Sequence, residues 1–274
     1  MSTMKKIFSV LFVFVCALLI AQSVNAQDSP FVINNVPNVV GVGIGIIPDY
    51  QGSNDYMVGG APFFRLTYGK TEWYLMLKGV ELSANVLNHP WLRLGPVVNY
   101  RFGRDDDVED DVVKEMEEID DTVEAGAFVG VEFVEEDNPR QRFISSIQFL
   151  GDVGNEYNGY TVALTARYWY PVHKVVDVSL GIGGTYADDH YMSTYFGVDR
   201  RDSEKTGLSI FDAESGVKDF NLSPAVVVHL SMDWHIAAGA KYFRLLDDAQ
   251  DSPVVDDRGE RDQWIAGLGV AYSW

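Results

Sequence analysis

Apolar and polar residues exchange places at every second position through most of this chain. The clearest case is residues 262–274, where Trp264, Ala266, Leu268, Val270, Tyr272 and Trp274 are apolar while Gln263, Gly267, Gly269, Ala271 and Ser273 are small or polar. Only a β-strand, whose side chains point alternately to its two faces, separates those sets. In residues 39–46 the even positions are Val40, Val42, Ile44 and Ile46 and the odd ones include Gly41, Gly43 and Gly45, an apolar row backed by bare backbone. A nucleotide loop needs a helix after its glycines, and none follows here. The same parity recurs in residues 58–68, 73–77, 80–86, 92–102, 123–133, 143–149, 160–170, 176–186, 222–232 and 236–242. Twelve strands result.

The last strand alone also suits the edge of a soluble β-sandwich, so the other segments decide. Its two C-terminal aromatics, with Gly269 three residues before Tyr272, have the spacing of the terminal assembly signal of outer-membrane barrels. An even strand number leaves both ends of a barrel on the periplasmic side. Short turns at residues 69–71, 88–90, 135–141, 173–174 and 233–234 alternate with longer links, above all 103–122 and 188–216. Aromatics gather near those turns (Tyr68, Trp73, Trp91, Trp169, Tyr170, Trp234 and Trp274), as an interfacial girdle does. The expected fold is all-β: a transmembrane antiparallel up-and-down β-barrel of about 12 strands, with long outer loops and short periplasmic turns. Its count turns on the Lys78-Gly79 corner, where one long strand in place of two would spoil the parity.

Residues 1–26 read as a signal peptide: Lys5 and Lys6 precede an apolar run over residues 7–20, too short to cross a bilayer, and Val24-Asn25-Ala26 precede the cut. Residues 27–37 are then a periplasmic lead-in and 38–274 the barrel domain, in the cell outer membrane. The single cysteine, Cys16, lies in the signal run behind bulky residues, which excludes disulfides and argues against lipidation. Removing 26 of the 274 residues, two lysines among them and no acid, takes the formal charge from −19 to −21. So acidic a chain does not bind nucleic acid by plain attraction.

Charges nevertheless occupy the inward positions: Arg65, Glu81, Arg93, Arg101, Glu124, Glu132, Arg167, Asp177 and Lys241. A lumen cross-braced by paired charges explains them more simply than a selective pore, and an internal Arg167 to Asp177 ion pair is expected. Residues 105–121 hold eleven acids, with Val108, Val112, Met116 and Ile119 at helical spacing. The expectation is a short amphipathic helix over the mouth. Its charges face solvent or, through divalent ions, lipopolysaccharide; an EF-hand's alternating ligands are missing. Among the histidines, His89 and His173 fall in turns and His235 opens a strand. His229 and Ser231 share one strand face about 7 Å apart, a spacing open to a base and nucleophile but with no orienting group. His190 with Asp188 and Asp189 gives three adjacent loop ligands, an incomplete metal shell. No catalytic, cofactor-binding or metal-ligating residue is therefore assigned, and no enzyme is expected.

Further motifs run through the chain in order: Pro48-Asp49-Tyr50 with Gly52-Ser53, Tyr100-Arg101 with Gly103-Arg104-Asp105, and Ile119-Asp120 before Glu124 and Gly126. Tyr186-Ala187-Asp188, Tyr191-Met192, Tyr195-Phe196-Gly197-Val198, Gly216 with Lys218-Asp219, and Asp248-Ala249 with Ser252-Pro253 continue them. In this order the chain resembles the MltA-interacting protein family, also called the OmpV family; Asp247 stands where that pattern has glycine. The resemblance implies an outer-membrane barrel without catalytic residues or cofactors. It further implies a scaffold associated with peptidoglycan-synthesising and peptidoglycan-cleaving enzymes, a lytic transglycosylase and a bifunctional penicillin-binding protein. A surface-exposed adhesin or a small-solute, porin-like barrel is the alternative.

Overall fold

The computed structural model describes residues 38–274, so the expected signal peptide and lead-in lie outside the described residues. Twelve antiparallel strands follow one another around a closed barrel. They are β1 Val39–Pro48, β2 Tyr56–Thr67, β3 Tyr74–Lys78, β4 Glu81–Asn85, β5 Leu92–Arg101 and β6 Thr122–Val134, then β7 Arg142–Asp152, β8 Tyr160–His173, β9 Val176–Ala187, β10 Gly216–His229, β11 Trp234–Leu245 and β12 Asp262–Ser273. Four short helices sit in the long loops: α1 Asp189–Phe196, α2 Arg200–Thr206, α3 Asp247–Asp251 and α4 Pro253–Asp256. None of the described helices is long and apolar enough to cross a membrane.

β12 closes the sheet on β1, with Val39 opposite Ser273 and Ile46 opposite Ala266. Closure matters because an open strand edge in hydrocarbon leaves backbone N–H and C=O groups without partners. The seam puts Val42 against Val270 and Ile44 against Leu268 on the outside, and Gly43 against Gly269 and Gly45 against Gly267 within. These glycines allow the close approach. A Cβ on Gly45 would stand 2.5 Å from the carbonyl oxygen of Ala266, and one on Gly269 2.7 Å from that of Val42. The outward residues are large, apolar and exposed, Val42 at 60 % and Leu180 at 55 % among them. A continuous exposed apolar surface of this kind is a lipid face.

The Lys78-Gly79 corner does separate two strands, each of only five residues. β3 reaches just the Phe63 to Thr67 part of β2, so the wall is low there. Tyr68, Trp73, Trp91, Tyr170, Trp234 and Trp274 are exposed at the short-turn end, as a girdle requires. Trp169 departs from the expected belt: it points into the lumen, where Arg142 and Arg167 lie against its ring.

The acidic loop also departs from expectation. Val108, Met116 and Ile119 are buried, yet residues 105–121 contain only a single 3-10 turn, Val113–Glu115, and no α-helix. Their acids bend the chain instead. Asp105 accepts from Asp107 N–H, and Asp110 Oδ1 from the N–H groups of Val112 and Val113 at 2.9 Å. Such side-chain bonds to nearby backbone compete with helix. An Arg104 to Ile119 bridge then folds the loop back on itself.

Candidate functional site in the barrel lumen

The outer mouth is filled. Asp188 caps α1, its Oδ1 accepting from Tyr191 N–H at 3.1 Å and from Tyr160 N–H at 3.0 Å, which fixes the helix to the rim of β8. Tyr191, Met192 and Phe196 of α1 are wholly buried at 0 % exposure. They pack with Tyr157, with Phe243 and Leu245 of β11, and with Val255 of α4. The Tyr191 hydroxyl lies 2.9 Å from Arg101 Nη1 and 2.8 Å from Gln51 Nε2, so β5 and the β1–β2 loop hold it from two sides. Beneath it, Glu124 accepts from Arg101 Nε, Asn99 Nδ2 and the Tyr157 hydroxyl, each at 2.6 Å. Burial and the Glu124 carboxylate push the Tyr157 hydroxyl well above the ordinary phenol range.

Below this stopper the lumen is polar. Arg93 bridges Glu72 at 2.8 Å and Glu132 at 3.0 Å, and Gln148 of β7 donates to Glu81 of β4 at 2.9 Å. Lys241 faces inward and is nonetheless exposed, so the interior is not solid. At the periplasmic rim a chain of four side chains crosses β9 to β12. Asp177 Oδ2 lies 2.9 Å from His229 Nε2, His229 Nδ1 2.8 Å from His235 Nδ1, and His235 Nε2 2.7 Å from Ser273 Oγ. A carboxylate only accepts, so His229 donates from Nε2 to Asp177, and the two contacts farther along share their protons according to the imidazole tautomers. Arg140 Nη2, 2.5 Å from Asp177, anchors the far end.

A family model described as MltA-interacting protein MipA matches residues 40–274. The chain belongs to this family. It is 30 % identical over 128 residues to outer membrane protein Omp26La of Vibrio anguillarum, 46 % of this chain and 47 % of that protein. It is 28 % identical over 126 residues to the MltA-interacting protein of Escherichia coli (strain K12), 45 % of this chain and 48 % of that protein. These matches span about half the length of the curated relatives. Among solved structures it is similar to the NanC porin in its rhombohedral crystal form, with 10 % identity, a TM-score of 0.48, and 86 % of this chain and all of that one covered. Family and lipid-facing barrel together make this an outer-membrane protein.

In this MipA-family barrel the inward charges point where alternation put them, but one pairing differs. Arg167 stands opposite Gly181 and Asp177 opposite Pro171, four residues apart along β8, with a bulge between Pro171 and His173. Arg167 therefore donates to Ser179 and Ser223, while Asp177 takes Arg140 and His229. His229 and Ser231 are not brought together. β10 ends at His229, and the Ser231 hydroxyl accepts from the N–H groups of Asp233 and Trp234 in the turn. His190 lies 3.5 Å from both Asp188 and Asp189, the one cluster of potential metal ligands among the described residues. Asp188 in it is already the helix cap. Arg140 and Arg142 carry no signal in the alternation that sets them apart, and Ser273 lies on the polar face as its odd position requires, but its link to His235 and the direct His229 to His235 opposition come only from the register.

Proposed function

We propose that this outer-membrane barrel is a non-enzymatic scaffold, delivered by a signal peptide at residues 1–26. Its periplasmic turns hold a lytic transglycosylase and a bifunctional penicillin-binding protein at the inner surface of the membrane. Family membership carries the reading, because the family is described by its interaction with MltA, a lytic transglycosylase. The filled outer mouth supports it, since a wide pore leaves that mouth free. Ser273 and His235, the one hydroxyl and imidazole hydrogen-bonded to each other among the described residues, are 4 % and 7 % exposed, which supports a bracing role over a nucleophile's. The acidic loop meets lipopolysaccharide through divalent cations. Detergent-solubilised full-length protein, immobilised and challenged with envelope extract, should retain a lytic transglycosylase. Retention of no murein hydrolase or synthase refutes the scaffold.

A further inference from the structure

Most of the paired guanidiniums in this barrel meet carboxylates: Arg93 has Glu72 and Glu132, Arg101 has Glu124, and Arg140 has Asp177. Arg142 and Arg167 form no ion pair among the described residues. The Arg142 side chain donates no hydrogen bond there, its Nε is enclosed without a partner, and its guanidinium stands 5.5 Å from the centre of the Trp169 ring. Arg167 donates only to hydroxyls, Ser179 Oγ at 2.7 Å and Ser223 Oγ at 2.8 Å, and stands 5.9 Å from the same ring. Serine oxygens neutralise nothing, so both cations keep their full charge and most of their donors.

Strand register builds this arrangement. Arg142 faces Trp169 across β7 and β8, and Arg167 lies two residues from Trp169 on the same lumen face. Gly181 faces Arg167 from β9. A Cβ there would sit 2.9 Å from Arg167 Nη2 and 2.4 Å from Ser223 Oγ, so the glycine leaves the bed along which Arg167 reaches the next strand but one. Arg65 of β2 lies within electrostatic range of Arg142, Arg93 and Glu132. The carboxylates within electrostatic range of Arg142 are Glu132, already engaged by Arg93, and Asp177, already engaged by Arg140. Two lumen guanidiniums without a carboxylate of their own, Arg142 and Arg167, are a cost unless a counter-charge enters.

We propose that Arg142 and Arg167, with Trp169 between them, form a lumen site for a small solute bearing a carboxylate or phosphate. The planar fork of arginine matches either oxyanion bidentately, and the indole offers an apolar face to the body of the solute. Arg142 opens β7 directly after a periplasmic turn, and α1 fills the opposite mouth, so the site lies on the periplasmic side of the stopper. It stands independently of the scaffold reading, and a failed pull-down does not touch it.

Isothermal titration of the full-length chain in detergent at low salt, with inorganic phosphate and separately with benzoate, tests the site. At least one of them should bind saturably at a single site. Phosphate binding alone assigns phosphorylated solutes, and stronger benzoate binding assigns organic acids that use Trp169. Arg142→Gln and Arg167→Gln should each weaken binding about tenfold or more, the worth of a charge-assisted hydrogen bond. Arg244→Gln, which removes the ion-pair partner of Asp262 at the outer end of β11, should leave it unchanged. Heat-modifiable migration in SDS confirms that each variant is folded. If Arg142→Gln does not fold, Gly181→Ala serves instead: it crowds Arg167 and should weaken binding. No binding of either anion to the wild type overturns the proposal. So do unaltered affinities in the lumen variants and equal weakening in Arg244→Gln.

Discussion

Replacing Glu124 by glutamine tests how the stopper is held to the wall. Glu124 is wholly buried and accepts three hydrogen bonds, from Arg101, Asn99 and Tyr157. Glutamine keeps the shape and removes the charge. Arg101 would then lie against the Tyr191 ring, 4.9 Å from its centre, with no carboxylate partner among the described residues. Removing one partner of a buried ion pair costs about 3–5 kcal/mol, because the other charge stays enclosed and unmatched. Arg101→Gln should cost a similar amount for the same reason. The double variant Arg101→Gln with Glu124→Gln places neutral amides side by side, and should recover more than half of the summed loss. Urea unfolding of the protein in lipid vesicles at neutral pH gives all four stabilities of this cycle. A loss below about 1 kcal/mol in Glu124→Gln, or simple additivity in the double variant, refutes the claim that this pair braces the mouth.

Three further outcomes follow from the same geometry. Asp247 has φ +47°, in the left-handed region where glycine is at ease, so Asp247→Gly should cost nothing while Asp247→Ala costs about 1 kcal/mol in the same unfolding assay; equal values for the two deny the backbone argument. Gly45→Val should prevent the β1 to β12 seam from closing, because even a Cβ meets the Ala266 carbonyl oxygen, and an unchanged heat-modifiable fraction on SDS gels rules that out. Asp110 clasps Arg258 at 2.8 Å across the two outer loops. Burial raises its carboxyl, but hydrogen bonds from Arg258 and from the N–H groups of Val113 and Val112 more than reverse this and hold it below the ordinary 3.8. The clasp therefore contributes fully above pH 3.8 and is lost as the pH falls through the lowered value. Amide exchange over residues 105–121 should rise in that window, and Asp110→Asn should show the rise at neutral pH; a flat profile in both contradicts the clasp.

Alternation exposed the barrel because lipid and lumen sort side chains so sharply that even the five-residue strands at Lys78-Gly79 could be told apart. It assigned faces and left pairings open. Arg167 and Asp177 share a face as expected, but only the register, with its bulge before His173, reveals that they stand too far apart to meet. In the acidic loop, helical spacing identified buried residues and missed the conformation, because Asp105 and Asp110 bond to the backbone only two or three residues beyond themselves. The stopper was legible in principle. Tyr191, Met192, Tyr195 and Phe196 repeat at the spacing of one helix face behind a capping Asp188, yet their place in the mouth depends on partners from β11 and three other loops that no local pattern announces.

Planar-bilayer recording of the intact, refolded chain tests the central claim that this outer-membrane barrel is closed at its outer mouth by α1. The intact chain should show no large steady conductance, and a variant with residues 189–206 replaced by a short Gly-Ser linker should show one. A large, steady current through the unaltered protein would contradict the account.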